Sequence, residues 1–239
     1  MRSSRSAPDP LTPGPIGFAH RGLHGPGVPE NSLASARAAV AAGAGIECDV
    51  RLSADGVPIV FHDADLTRLC GVDGATADRT AAELQALPLL GTAEHIPTLA
   101  EWLAVVPAEM PLLLELKATN RSATEALCAA VHRTLGPARP RAAAMSFAPA
   151  VPRWFADHAP ARPRGLVVDG RWPPDFRESA LAHSHATFLA VDRALLEDSW
   201  TATLRKRMPV YSWTICSPDE RSRVANRADA PIWEGDGRP

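Results

Sequence analysis

Three short stretches carry residue types that do acid–base and metal chemistry: Phe18-Ala19-His20-Arg21-Gly22, Ile46-Glu47-Cys48-Asp49-Val50-Arg51-Leu52 and Ile59-Val60-Phe61-His62-Asp63. In a strand, residues two apart share a face. Glu47 and Asp49 therefore project together, with Cys48 and Val50 on the other side. Two adjacent carboxylates repel, and in a half-buried strand they need a cation or a proton between them. A divalent metal meets that need. An isolated Glu-x-Asp is more often the solvated face of an edge strand, so the reading depends on what accompanies the pair. Glu115-Leu116-Lys117 puts a third carboxylate and an ammonium on one face by the same rule. Three carboxylates make a hard, oxygen-rich site suited to Mg²⁺ or Ca²⁺ and not to zinc. Arg21 and Lys117 add positive charge that matches an anionic substrate such as a phosphate. His20 and His62 titrate near neutrality and can serve as general acid and general base. Lys117 could equally be no more than the salt-bridge partner of Glu115.

The elements that must position these groups are short apolar runs alternating with helical stretches. Candidate strands fall at 16–19, around Glu47 and Asp49, at 57–61, 111–114, 142–147, 165–168, 187–191, 209–215 and 230–233. Helices are expected at 33–42, with Asn31-Ser32 as cap and Gly43 as stop, at 99–105 after Thr98, and at 124–135 before Gly136-Pro137. The segment 65–90 reads as loop with one helical turn near 81–87. Alternation of this kind argues βα units and a parallel sheet, and with this length an eight-stranded (β/α)8 TIM barrel. Nine candidates for eight places leave one strand surplus. Asp55-Gly56 suits either a hairpin or a distorted connection between parallel strands. One domain is expected over 16–239, behind a disordered proline-rich leader at 1–15.

Charge is balanced, with 25 Lys+Arg against 27 Asp+Glu. No basic stripe points to nucleic acid, so phosphate recognition must come from a few placed residues. Cys48, Cys70, Cys128 and Cys216 are scattered without paired spacing, which suggests neither a zinc framework nor a disulfide scaffold. No run reaches the ~18 apolar residues of a membrane span, and the first residues lack the apolar core of a secretory signal. The expectation is a cytoplasmic protein without stable membrane insertion.

Taken in order, the motifs resemble a known family. His20-Arg21-Gly22, Pro29-Glu30-Asn31-Ser32, the run 42–50 through Glu47 and Asp49, and the run 55–68 ending Asp65-Leu66-Thr67-Arg68 are similar to the glycerophosphodiester phosphodiesterases. Ile96-Pro97-Thr98-Leu99, Glu115-Leu116-Lys117, Ser146-Phe147 and Ser212-Trp213-Thr214 continue the likeness. The resemblance implies a TIM barrel with a divalent metal on Glu47, Asp49 and Glu115. It implies His20 and His62 as the acid–base pair, Arg21 and Lys117 near the phosphate, and Trp213 beside the substrate. The implied reaction is hydrolysis of a small-molecule glycerophosphodiester to sn-glycerol 3-phosphate and an alcohol, through a cyclic phosphate. Two alternatives stand beside it: lysophospholipase D activity, which would need an apolar entrance, and a phosphate-binding barrel without turnover. Two departures from the family pattern are Ile215-Cys216, where an Asn usually follows the Trp-Thr pair, and Ile232-Trp233-Glu234-Gly235-Asp236. A terminal barrel helix is not expected, and the insertion after His62-Asp63 is expected to be minimal.

Overall fold

The computed structural model describes residues 11–118 and 120–239. All nine candidate runs are strands: β1 (Phe18–Ala19), β2 (Gly45–Leu52), β3 (Pro58–Val60), β4 (Leu112–Leu116), β5 (Ala142–Ser146), β6 (Arg164–Val168), β7 (Phe188–Asp192), β8 (Val210–Ile215) and β9 (Ala230–Trp233). Eight of them pair in parallel, and β1 closes the ring by pairing with both β2 and β9. The structure is a TIM barrel. The surplus candidate is β3, which is a genuine strand outside the ring. It pairs antiparallel with β2, Arg51 opposite Ile59, across a tight turn in which Ser53 and Val57 are hydrogen-bonded. Asp55-Gly56 is thus a hairpin turn, and His62 follows a hairpin arm instead of a barrel strand.

Each barrel strand is buried on both faces, so its sequence reads as a continuous apolar run. Phe18, Leu113, Ala143, Met145, Val167 and Tyr211 belong to the core inside the ring. Ile46, Cys48, Val50, Leu114, Leu166 and Val191 belong to a second core on the opposite strand face, shared with helix residues. The connecting helices are α1 (Leu33–Ala41), α2 (Thr67–Cys70), α3 (Ala81–Gln85), α4 (Leu99–Ala104), α5 (Arg121–Leu135), α6 (Ala150–His158), α7 (Pro174–Ser184), α8 (Ser199–Arg205) and α9 (Pro218–Val224). The expected caps form. Ser32 accepts from the Ser35 amide, and Thr98 and Glu101 make a reciprocal capping box. Gly43 follows α1 at φ 68°, the left-handed geometry that ends a helix. After β9 a 3-10 turn, Gly235–Gly237, lies against α9, and no α-helix follows among the described residues.

Two expectations need correction. The segment 65–90 is not plain loop, because Ile59, Phe61, Leu66, Leu69, Leu84, Leu89 and Ile96 form a small buried core of their own. Their spacing follows neither a helical nor a strand period, which hid the core from pattern reading. Of the expected leader, residues 1–10 lie outside the described residues. Leu11, however, is fully buried among the residues inside the ring, and the Arg141 guanidinium donates to the Leu11 and Thr12 carbonyls.

Candidate active site

The carboxyl ends of the parallel strands meet at one mouth, where a barrel of this kind carries its functional groups. His20 and Arg21 leave β1, and Glu47 and Asp49 lie on β2. Glu115 ends β4 beside Lys117, His62 follows the β3 arm, Trp213 is on β8 and Glu234 follows β9. Register places Asp49 directly opposite Glu115. Ligand atoms of Glu47, Asp49 and Glu115 lie within 4.8 Å of one another, and all three side chains are buried. A cavity of about 130 Å³ opens above them, walled on its far side by Met145, Phe147 and Trp213. A larger groove of about 740 Å³, lined by Arg121, Trp154 and His183, shares no residue with this cluster.

The turn after β1 is built for close approach. Arg21 and Gly22 adopt φ 55° and 78°, and a Cβ on Gly22 would lie 2.5 Å from Ser35 Oγ. The left-handed Arg21, a conformation costing about 1–3 kcal/mol in a residue with a side chain, turns its amide to donate to Glu47 Oε2 at 3.0 Å. The Arg21 guanidinium then reaches Asp49 Oδ2 at 3.3 Å and Glu30 Oε1 at 2.7 Å. Asn31 binds Asp49 twice, its Nδ2 donating to Oδ2 at 2.9 Å and its Oδ1 accepting from the Asp49 amide at 3.2 Å. Lys117 Nζ bridges the remaining carboxylates, 2.9 Å from Asp49 Oδ1 and in contact with Glu115 Oε1.

Charge is unevenly compensated across the cluster. Burial raises the Asp49 carboxyl, but Lys117 and Arg21 overcome it and hold the group well below the usual carboxylate range. Glu47 has no cation as close, with His20 Nε2 standing 3.9 Å from its Oε2. Burial and the Asp49 charge push it up to about 8, and its Oε1 is buried without a hydrogen-bond partner. A divalent cation would supply the missing charge, and three carboxylate oxygens are the donor set that Mg²⁺ and Ca²⁺ take. These residues therefore fit a metal ion.

The two histidines diverge. Burial disfavours the charged form of His20, yet the hydrogen bond to Glu234 and the nearby Glu47 carboxylate leave it above the ordinary histidine value. Its Nδ1 is 2.6 Å from Glu234 Oε2 and its Nε2 is 3.9 Å from Glu47 Oε2. His62 is lowered, chiefly by burial, although Asp49 and the contact of its Nδ1 with Asp63 Oδ1 at 2.7 Å pull the other way.

The chain matches the glycerophosphoryl diester phosphodiesterase family over residues 20–229. It belongs to that family. A glycerophosphodiester phosphodiesterase of Bacillus altitudinis is 35% identical over 114 residues, covering 43% of this chain and 44% of that protein. The chain spans less than half the length of the first curated relatives it matches. Among solved structures, a phosphodiesterase of Oleispira antarctica in complex with the product sn-glycerol-3-phosphate superimposes with TM-score 0.80 at 28% identity, over 91% of each chain. The glycerophosphodiester phosphodiesterase of Thermotoga maritima gives TM-score 0.75 at 26% identity, over 91% of this chain and 93% of that one.

In this member of the family, the eight residues singled out from sequence gather at the one mouth, seven of them lining the cavity and Asp49 lying beneath it. Lys117 is indeed the ion-pair partner of Glu115, and of Asp49 as well. From sequence, Glu30 is a candidate to orient Arg21, which agrees with their 2.7 Å contact, but the other partners are missed. Glu234 entered only as a departure from the family pattern, and Asn31 only as part of a helix start and of the motif at 29–32, yet each holds a site residue. The signal for Glu234 was present: it is an ionisable residue directly after the last apolar run, the position that singled out His20. His24, in the loop after β1, lies 3.6 Å from Glu234 through its Nε2.

Proposed function

We propose that this chain hydrolyses glycerophosphodiesters to sn-glycerol 3-phosphate and an alcohol, with a divalent metal, Mg²⁺ or Ca²⁺, held by Glu47, Asp49 and Glu115. The observation that carries this reading is the convergence of two histidines, two cations and a buried cluster of three carboxylates on one cavity at the mouth of a family barrel. His62, whose Nδ1 is held by Asp63, takes the proton of the glycerol hydroxyl next to the phosphoester. That oxygen attacks phosphorus, and the bond to the departing alcohol breaks. His20, whose Nδ1 is held by Glu234, donates its Nε2 proton to the departing oxygen. Water then opens the cyclic phosphate with the two histidines in exchanged roles. Arg21 and Lys117 orient the phosphoryl oxygens, and Trp213, whose Nε1 donates to the Ala190 carbonyl at 2.9 Å, forms a fixed wall for the glycerol. When bound, the metal would add Lewis-acid stabilisation of charge on the phosphoryl oxygens.

The test is release of glycerol 3-phosphate from glycerophosphocholine and glycerophosphoethanolamine, with EDTA and then with Mg²⁺ or Ca²⁺. Metal-restored release supports the reading, whereas no release from folded protein with either ion refutes it.

One observation favours a second reading on the same chemistry. Aromatic rings step outward from the cavity, Trp213 to Phe147 at 5.4 Å, Phe147 to Trp172 at 6.3 Å and Trp172 to Phe176 at 4.9 Å. Phe176 is 48% exposed. Such a row suits an apolar substituent, as in a lysophospholipid, and parallel assays on glycerophosphocholine and lysophosphatidylcholine decide between the two. No helix among the described residues is long and apolar enough to cross a membrane. All four cysteines are free thiols, which fits a reducing compartment such as the cytoplasm.

A further inference from the structure

In the proposed chemistry Arg21 and His62 stand on different parts of the molecule, one on the barrel turn after β1 and the other on the β3 arm. Besides the contact of Arg21 with Asp49, each is held by a carboxylate from outside the three-carboxylate cluster. Arg21 Nη1 donates to Glu30 Oε1 at 2.7 Å, and His62 Nδ1 lies 2.7 Å from Asp63 Oδ1. Both carboxylates converge on a single further side chain, Arg68 of α2. Its Nη1 donates to Glu30 Oε2 at 2.9 Å and its Nη2 to Glu30 Oε1 at 2.8 Å. Its Nε donates to Asp63 Oδ2 at 2.6 Å and its Nη2 also to Asp63 Oδ1 at 3.0 Å. The contacts run without a break from Arg21 through Glu30, Arg68 and Asp63 to His62.

We propose that Arg68 is a positioning residue that locks the phosphate-binding Arg21 and the proton-accepting His62 into one geometry. It does not line the cavity, so it acts through Glu30 and Asp63. The proposal rests on the hydrolytic reading given above. An exposed arginine ordinarily contributes little, and Arg68 is 47% exposed at its side chain. Its setting is different because the carboxylates it grips are themselves only 12% and 16% exposed. Four N–H groups of one planar guanidinium fix both carboxylates at once, which a lysine ammonium lacks the shape to do. Asp63, held on one side by Arg68, presents Oδ1 to His62 Nδ1. That contact keeps the proton on Nδ1 and leaves Nε2 free to accept from substrate. Glu30, held the same way, keeps the Arg21 guanidinium aimed across the cluster. Loosening either group by a fraction of an ångström costs rate out of proportion to the lost contact.

A plain role in docking the arm onto the barrel would change stability alone, so the test must read more than stability. Arg68→Ala and Arg68→Lys are made in the full chain and assayed with Mg²⁺ or Ca²⁺ on glycerophosphocholine, and the His62 ring nitrogens are followed by NMR. For Arg68→Ala with unchanged circular dichroism, kcat falls about 30-fold and KM rises about 5-fold, and the His62 nitrogens shift towards a mixture of tautomers. Arg68→Lys keeps the charge but grips only one carboxylate. It loses about 10-fold in kcat, and it carries the same test if the alanine variant does not fold. Adding Asp63→Asn to Arg68→Ala costs little more than either change alone, because both break one chain of contacts. Turnover within twofold of the parent together with unmoved His62 signals overturns the proposal, as does full activity in Arg68→Lys. A parent protein that releases no glycerol 3-phosphate refutes the hydrolytic reading instead. The His62 signals alone then decide: unmoved, they overturn the coupling, and shifted, they support it.

Discussion

One side of the barrel mouth is ionic and the other is oily, although a single layer of side chains runs through both. At one level of the interior, Asp49 of β2 lies opposite Glu115 of β4, and Glu115 opposite Met145 of β5. Between β4 and β5 the layer passes from carboxylate to thioether. Beyond it the cavity wall is Phe147, Val167 and Trp213. The backbone is the same on both sides, so the division of labour is written in side chains alone. The ionic half holds the histidines, the three carboxylates and the two cations. The apolar half excludes water from one side of them, which strengthens their mutual fields and helps to displace Glu47 and His62 from their ordinary titration ranges.

The comparison is broken most severely by removing a proton carrier from the ionic half. His20→Ala is expected to lower turnover by about 10²–10⁴-fold with the far-ultraviolet circular dichroism unchanged, and activity close to the parent's would remove His20 from the mechanism. Extending the oily half by one strand comes next. Glu115→Met deletes a carboxylate from the cluster and should abolish the thermal stabilisation that metal confers. For the parent, metal at 100-fold above its Kd contributes about 2.7 kcal/mol, or roughly 5–10 °C in a chain of this size. A scan of unfolding temperature with and without Ca²⁺ or Mg²⁺ reads both.

A pH series sharpens the contrast. Glu47 is raised in the folded protein to about 8, above the ~4.3 of an unfolded chain. The folded state therefore holds the proton more tightly between those values. Its stabilising contribution is complete below the lower one and is lost as pH rises through the upper one. Protein in EDTA should lose stability between about pH 5 and pH 9, and the metal-induced gain should widen over the same window, since binding must displace that proton. An EDTA-treated melting temperature that is flat or rising on account of Glu47 would contradict this. Glu47→Gln, which carries no titrating group there, separates its part from other groups. On the oily side effects are smaller. Trp213→Ala should raise KM by about 10-fold while leaving metal stabilisation intact, consistent with loss of one packed aromatic wall. Met145→Leu, a volume-conserving exchange, should cost under about 1.5 kcal/mol and leave KM within about threefold, as denaturant titration and steady-state kinetics would reveal.

Much of the frame was legible in the chain because strands buried on both faces announce themselves as apolar runs, and all nine were found. What the runs do not carry is the identity of the neighbour. Whether 57–61 joined the ring or folded back on β2 depended on pairing, and so the surplus strand stayed open until register was seen. The helices α6 to α9 were less visible than α1, α4 and α5, because residues of every class are mixed along them. The charged groups of the site stood out by type, each at the end of an apolar run. Their partners did not. The hydrogen bond between His20 and Glu234 joins residues 214 positions apart, and those from Arg68 to Glu30 span 38. Such pairings are properties of the closed ring and of the arm folded against it, and no local pattern encodes them.

The hairpin arm has a consequence for how the protein would fail on heating. His20 is anchored in the closed ring, whereas His62 is carried by β3, whose flanking residues pack into the separate small core of 59–96. The two site histidines thus stand on two packed units of unequal size. The smaller unit, with seven buried apolar residues at its centre, is expected to open before the ring does. Inactivation on warming would then precede the main calorimetric transition and reverse on cooling. The proposed activity would have a thermal switch-off point set by the arm, below the melting point set by the barrel.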